Sequence, residues 1–107
     1  MAHKEIRFVA RSEKDLSKLP ADAQKKFFDE FDAIQRGEDA TDAKPLQGVP
    51  AGIYEIRVWA KGGTFRAAYV AKFEDAIYVL HVWQKKGKTE KADIDLIVKR
   101  FKDLTRR

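Results

Sequence analysis

The chain has no cysteine, which rules out disulfides, thiolate zinc sites and cysteine nucleophiles and suits a reducing compartment, the cytosol. Long apolar runs are also missing near the start. Lys4, Glu5 and Arg7 interrupt the stretch from Met1 to Ala10, so neither a signal peptide nor a membrane span is expected there. There are no internal repeats and no low-complexity tracts. Acidic side chains are scarce in the second half and form no ligand cluster, which disfavours a hydrolase built on a metal or on paired carboxylates; no metal and no cofactor are expected. What is present fits one compact domain over residues 1–107, with 44% hydrophobic residues for a core and 36% charged residues to cover it.

The net charge is +5, and its placement says more than its size. Residues 1–12 sum to +2, residues 13–42 carry five basic against nine acidic groups, and residues 43–107 carry fourteen against seven. A polyanionic partner would meet the second half. An ordinary solvated surface can also reach this charge, so geometry has to carry the argument.

Residues 5–10 (EIRFVA) read as a short strand, and Ser12 with Asp15 resembles a capping box opening a brief helix that ends near Leu19. Pro20 punctuates. Ala23, Phe27, Phe28, Phe31 and Ile34 then recur at helical spacing through Arg36, with Gly37 as C-cap. Residues 37–52 have two prolines and three glycines without a period, and read as an ordered loop. Three strands follow, Ile53 to Ala60, Thr64 to Phe73 and Ala76 to Lys85, joined by turns at Gly62-Gly63 and Glu74-Asp75. Thr89 caps a last helix whose stripe is Ile94, Ile97, Val98, Phe101 and Leu104. The expected class is α+β: an N-terminal helical hairpin packed on a mainly antiparallel, curved sheet, a meander of three strands plus an N-terminal strand, with a C-terminal helix.

Two-residue turns fix a register in which Lys61 faces Thr64 and Phe73 faces Ala76. One face then collects Tyr54, Ile56, Val58, Phe65, Ala67, Tyr69, Ala71, Phe73, Tyr78, Leu80 and Val82, which is the core face. The other collects Glu55, Arg57, Trp59, Arg66, Ala68, Val70, Lys72, Ile77, Val79, His81, Trp83 and Lys85. Counting puts Trp59, Arg66 and Trp83 in one row and Arg57, Ala68 and His81 in the next. Two indoles beside a guanidinium suit single-stranded RNA, whose bases stack on rings while cations hold phosphates. The competing reading buries the tryptophans in a second small core under the C-terminal helix, with Arg66 between them. Both can hold in part, the helix covering the Ile77, Val79 and Val70 end while the Arg66 and Lys85 end stays open. His81 alone is more ordinarily a structural histidine, and Gln84 to Lys91 a solvated turn.

Residues 52–89, GIYEIRVWAKGGTFRAAYVAKFEDAIYVLHVWQKKGKT, resemble the phage-related HigB-like branch of the RelE toxin superfamily. The likeness rests on Y-E-I-R in the first meander strand, F-R-x-x-Y in the second, Y-V-L-H in the third and the closing Q-K-K, in the family's order. It implies a RelE-like fold and a ribosome-dependent messenger-RNA interferase, encoded beside a helix-turn-helix, HigA-like antitoxin that silences it. By position Arg57 and Arg66 match basic strand residues of the family's cleft, and Lys85 and Lys86 the basic cluster ending the last strand. Several members place a Tyr or His near the C-terminus; here the tail reads FKDLTRR, which leaves the general base unassigned.

Metal-free cleavage needs the 2′-hydroxyl aligned on the adjacent phosphate, a proton acceptor, cations for the phosphorane and an acid for the leaving oxygen. Arg66 is expected to stabilise phosphate, Arg57 and Lys85 to support it, Trp59 or Trp83 to stack a base, and His81 or Lys86 to move the proton. Lys61, Lys72 and Lys88 complete the RNA-binding set. From other classes, a non-catalytic RNA-binding protein and a phage-derived protein-interaction module with exposed tryptophans share this pattern.

Overall fold

The structure is a computed structural model that describes residues 4–38, 40, 42–86 and 91–106. The elements in order are β1 (Glu5–Phe8), α1 (Ser12–Ser17), α2 (Ala21–Gln35), β2 (Ala43–Pro45), β3 (Ile53–Ala60), β4 (Gly63–Val70), β5 (Ala76–Lys85) and α3 (Lys91–Thr105). The sheet runs β1-β5-β4-β3-β2, antiparallel except where β1 lies parallel to β5. The expected α+β arrangement is the one observed. No helix among the described residues is long and apolar enough to cross a membrane.

Each face of the sheet has its own core. On one, α1 and α2 press Leu16, Ala23, Phe27, Phe31 and Ile34 onto Ile56, Val58, Phe65, Ala67, Ile77, Val79 and Val82. On the other, α3 brings Ile97 and Phe101 onto Ile53, Ala68, Val70, Leu80 and Trp83. Phe28, expected in the α2 stripe, is 51% exposed and touches Phe31 only by its edge. It sits one position past the buried Phe27, about 100° round the helix and off the contact line. Ser12 does not cap α1. It is buried inside the helix's first turn, and its hydroxyl donates to the Val79 carbonyl, fastening α1 to β5.

Three expectations about the sheet are corrected. Residues 37–52 include a strand, β2, too short to show a period, which pairs with β3 so that Lys44 faces Glu55. The first hairpin turns at Lys61-Gly62, with Ala60 opposite Gly63 and Gly62 at φ 99°, so every β3–β4 pairing moves by two residues while faces are kept. The second connection is the segment 71–75 rather than a two-residue turn, so β4 stops at Val70 and Phe73 packs toward α3, edge-on to Tyr78.

A fourth correction, a bulge in β5, has the largest effect. Ala68 pairs with His81 but Tyr69 pairs with Val79, so Leu80 is an extra residue on β5 and forms a bulge. Leu80 and His81 therefore both look toward α3, and the alternation reverses beyond them. Ile77 and Val79, expected beneath the C-terminal helix, lie in the core under α1 and α2, while Tyr78 and Leu80 leave that face.

Candidate active site

The observed register builds two adjacent rows across the sheet on the α3 side, Arg57–Arg66–Trp83 and Glu55–Ala68–His81, with Trp59–Thr64–Lys85 beyond them. The expected row of two tryptophans around Arg66 is not formed, because the turn at Lys61-Gly62 moves Trp59 opposite Thr64. The two indoles have parted company. Trp59 is 61% exposed with the Arg57 guanidinium 5.5 Å from its ring centroid. Trp83 is buried in the α3 core and stacks on His81 at 4.9 Å with the rings 12° apart. The second-core reading thus holds for Trp83 and fails for Trp59.

Every arginine and the histidine of these rows has a carboxylate. Arg66, 5% exposed, donates from Nη1 to Glu55 Oε1 at 2.5 Å, and Lys44 Nζ approaches the same oxygen at 3.7 Å. Arg57 makes a two-pronged contact with Asp42, Nε to Oδ2 at 3.0 Å and Nη2 to Oδ1 at 3.4 Å. His81 Nε2 lies 2.8 Å from Asp93 Oδ1 on α3. Among the described residues, Lys85 has no such partner. Its ammonium is held below the usual lysine range, first by loss of hydration and then by the positive field of Arg66, with Lys44 and Arg57 adding to it and Glu55 opposing.

The ion pair at the centre is half made. Among the described residues, the buried side-chain nitrogen and oxygen atoms without a hydrogen-bond partner are Glu55 Oε2, Arg66 Nε, His81 Nδ1 and Trp83 Nε1, and all four belong to these two rows. Each such atom costs about 1–3 kcal/mol if nothing meets it. All four lie in two neighbouring rows of one sheet face, so the unmet hydrogen-bonding capacity is concentrated in one place. The set offers one acceptor, two donors and a ring nitrogen able to do either. No group of three or more His, Cys, Asp or Glu side chains among the described residues could hold a metal.

The expected residues are only partly brought together. Arg57, Arg66, His81, Trp83 and Lys85 converge, Trp59 forms the rim, and the exposed Lys86 follows directly on β5. Lys61 occupies the exposed hairpin tip, where its backbone N–H is held by Asp22. Lys72 is not in the cleft: it lies beyond the far end of β4, with Nζ 5.1 Å from the Phe101 ring centroid. Lys88 and the Thr89 cap lie outside the described residues. Sequence reasoning missed Lys44, Asp42 and Asp93 and gave Glu55 no role. Glu55 carried a signal, as the one acid on a cationic face; Lys44 and Asp42 sat in a segment read as loop, and nothing local ties Asp93 to His81.

The sequence model of the family described as "Phage derived protein Gp49-like (DUF891)" matches residues 14–102, most of the chain. The chain belongs to the Gp49-like family. Among solved structures, this Gp49-like chain is similar to a free-state double arginine variant of the E. coli toxin RelE, with TM-score 0.64 and 19% identity over 97% of this chain and 99% of that one. It is also similar to a chain of the RelBE2 toxin–antitoxin complex from Mycobacterium tuberculosis, with TM-score 0.53 and 24% identity over 79% of this chain and 100% of that one. At these identities the likeness establishes a RelE-like fold. No curated protein matches the chain significantly.

Proposed function

We propose that this protein is the toxin of a toxin–antitoxin pair and an endoribonuclease that cuts messenger RNA on the ribosome, in the cytosol. The observation that carries the chemistry is the half-made pair: Arg66 Nε and Glu55 Oε2 are an unpartnered donor and acceptor in one buried contact. A 2′-hydroxyl beside its own 3′-phosphate presents the complementary donor and acceptor. Glu55 then takes the 2′-hydroxyl proton, the 2′-oxygen bonds to phosphorus, Arg66 holds the phosphorane, and the bond from phosphorus to the 5′-oxygen breaks. His81 gives that oxygen a proton. The products are a 2′,3′-cyclic phosphate and a 5′-hydroxyl, with no metal in the step.

Lys44 and Lys85 flank Glu55 and supply further positive potential, while the exposed Trp59 offers a ring for a base. A site so enclosed is a poor nuclease for free RNA, and ribosome dependence follows if the ribosome presents the RNA already aligned. The similar fold of RelE and of a toxin that forms a complex with its antitoxin supports an antitoxin partner, which we take to be a small helix-turn-helix, HigA-like protein.

The test is a reconstituted translation reaction with one defined mRNA, with and without ribosomes, mapping new 5′ ends by primer extension. Cleavage confined to ribosome-occupied positions, and lost with Arg66→Ala, is the expected result. A folded protein that binds RNA without cutting in either reaction would replace this reading with a non-catalytic RNA-binding module. Absence of RNA affinity as well would favour a protein-interaction module.

A further inference from the structure

We propose that Asp93, at the start of α3, is a positioning residue that fixes the His81 ring so that Nδ1 faces the cleft as its proton-transfer nitrogen; this rests on the function proposed above. A carboxylate only accepts hydrogen bonds. The 2.8 Å contact from His81 Nε2 to Asp93 Oδ1 therefore places a hydrogen on Nε2 in both the neutral and the charged ring. Nδ1 is left as the nitrogen that gains or loses a proton. It is also buried and unpartnered, as are Glu55 Oε2, Arg66 Nε and Trp83 Nε1 in the same two neighbouring rows of the sheet.

Three further contacts keep this arrangement from turning over. Trp83 stacks flat on the imidazole, which blocks rotation of the ring out of its plane. The bulge at Leu80 turns His81 toward α3. Arg100, further along α3, donates to the Leu80 carbonyl at 2.7 Å and pins the helix to the bulge itself. A base oriented by a third group is the arrangement that nucleophile and proton-transfer sites use generally. Among the candidates for proton transfer, this singles out His81 over the exposed Lys86, which has no orienting partner among the described residues. In the reaction above, the His81 Nδ1 proton goes to the leaving 5′-oxygen, and α3 must be docked for it to do so.

The experiment uses the full chain with 15N-labelled histidine, His3→Gln removing the second histidine signal. Long-range 1H–15N spectra should show the neutral His81 ring carrying its hydrogen on Nε2, and Asp93→Ala should mix the two tautomers. In single-turnover cleavage of ribosome-bound mRNA, Asp93→Ala should slow the cutting step by about 10- to 100-fold, the size that loss of the partner orienting a metal-bound histidine has, while ribosome affinity is unchanged. Asp93→Glu should recover part of the rate. Should the alanine variant unfold, Asp93→Asn keeps the shape and serves in its place. A wild-type ring with its hydrogen on Nδ1 would overturn the proposal, and so would a rate loss with the tautomer unaltered. A wild-type protein that cuts nothing would instead overturn the proposed function, and the tautomer measurement would still decide whether Asp93 sets the ring.

Discussion

At the scale of single residues, burial separates side chains that look alike in the sequence. Trp59 on β3 and Trp83 on β5 share one face of the sheet, yet one is solvent-exposed and the other closes a core. Trp83→Ala should destabilise the fold by about 3–5 kcal/mol, the range for truncating a buried aromatic. Trp59→Ala should leave the urea midpoint nearly unchanged and weaken binding of a short single-stranded RNA by about 1–3 kcal/mol, the worth of one stacked base. Equal stability losses from the two would contradict the burial seen here. The Glu55–Arg66 pair makes a second prediction. Glu55→Ala leaves a buried guanidinium with its carboxylate gone, and should cost about 3–5 kcal/mol in urea denaturation. Replacing both, Glu55→Leu with Arg66→Met, should regain much of that stability while cleavage stays lost, because an apolar pair packs well and does no chemistry. A double variant as unstable as the single one would mean that the pair organises the fold itself.

At the scale of elements, the limits of reading this sequence are physical. Apolar periodicity gave both long helices and all three meander strands, because 3.6- and 2-residue periods survive in any window that packs against a single surface. Faces were right for β3 and β4, since moving the first turn by two residues preserves parity. They failed on β5 past His81, because one bulged residue reverses every position beyond it and leaves no mark in composition. The site was legible in the same degree: Arg57, Arg66, His81 and Lys85 were found on strands, whereas Asp42, Lys44 and Asp93 come from a loop, a three-residue strand and a helix start that only tertiary pairing brings near. The hairpin between β3 and β4 allows a direct check. Gly63 has φ 137°, and a Cβ there would lie 2.9 Å from Gln84 Nε2, the atom that donates to the Gly62 carbonyl. Gly63→Ala should destabilise by about 1–2 kcal/mol, combining backbone strain with loss of that bond, whereas Gly48→Ala, in open space, should show the strain alone. If the two cost the same, the contact with Gln84 contributes nothing.

At the scale of the whole molecule, the uneven charge along the chain becomes a division between layers. Residues 13–35 of the acidic segment make up most of α1 and α2 on one side of the sheet, and Lys44, Arg57, Arg66 and Lys85 gather on the other. RNA approaching the cationic side would release counterions there and be indifferent to the helical side, so salt dependence becomes a map of the docking face. Each phosphate contact on a single strand contributes about 0.7 to the slope of log affinity against log salt concentration. Replacing Lys44, Lys85 and Lys86 together by alanine should therefore reduce that slope by about 2. Replacing Lys14, Lys18 and Lys25 on α1 and α2 removes the same formal charge and should leave the slope as it was, since only distance and screening separate the two sets. Both triples change exposed or half-exposed side chains and should fold. Equal losses of slope would mean that the RNA responds to net charge alone and that the cleft does not orient it; a loss confined to the first triple ties RNA docking to the face that holds Arg66 and His81.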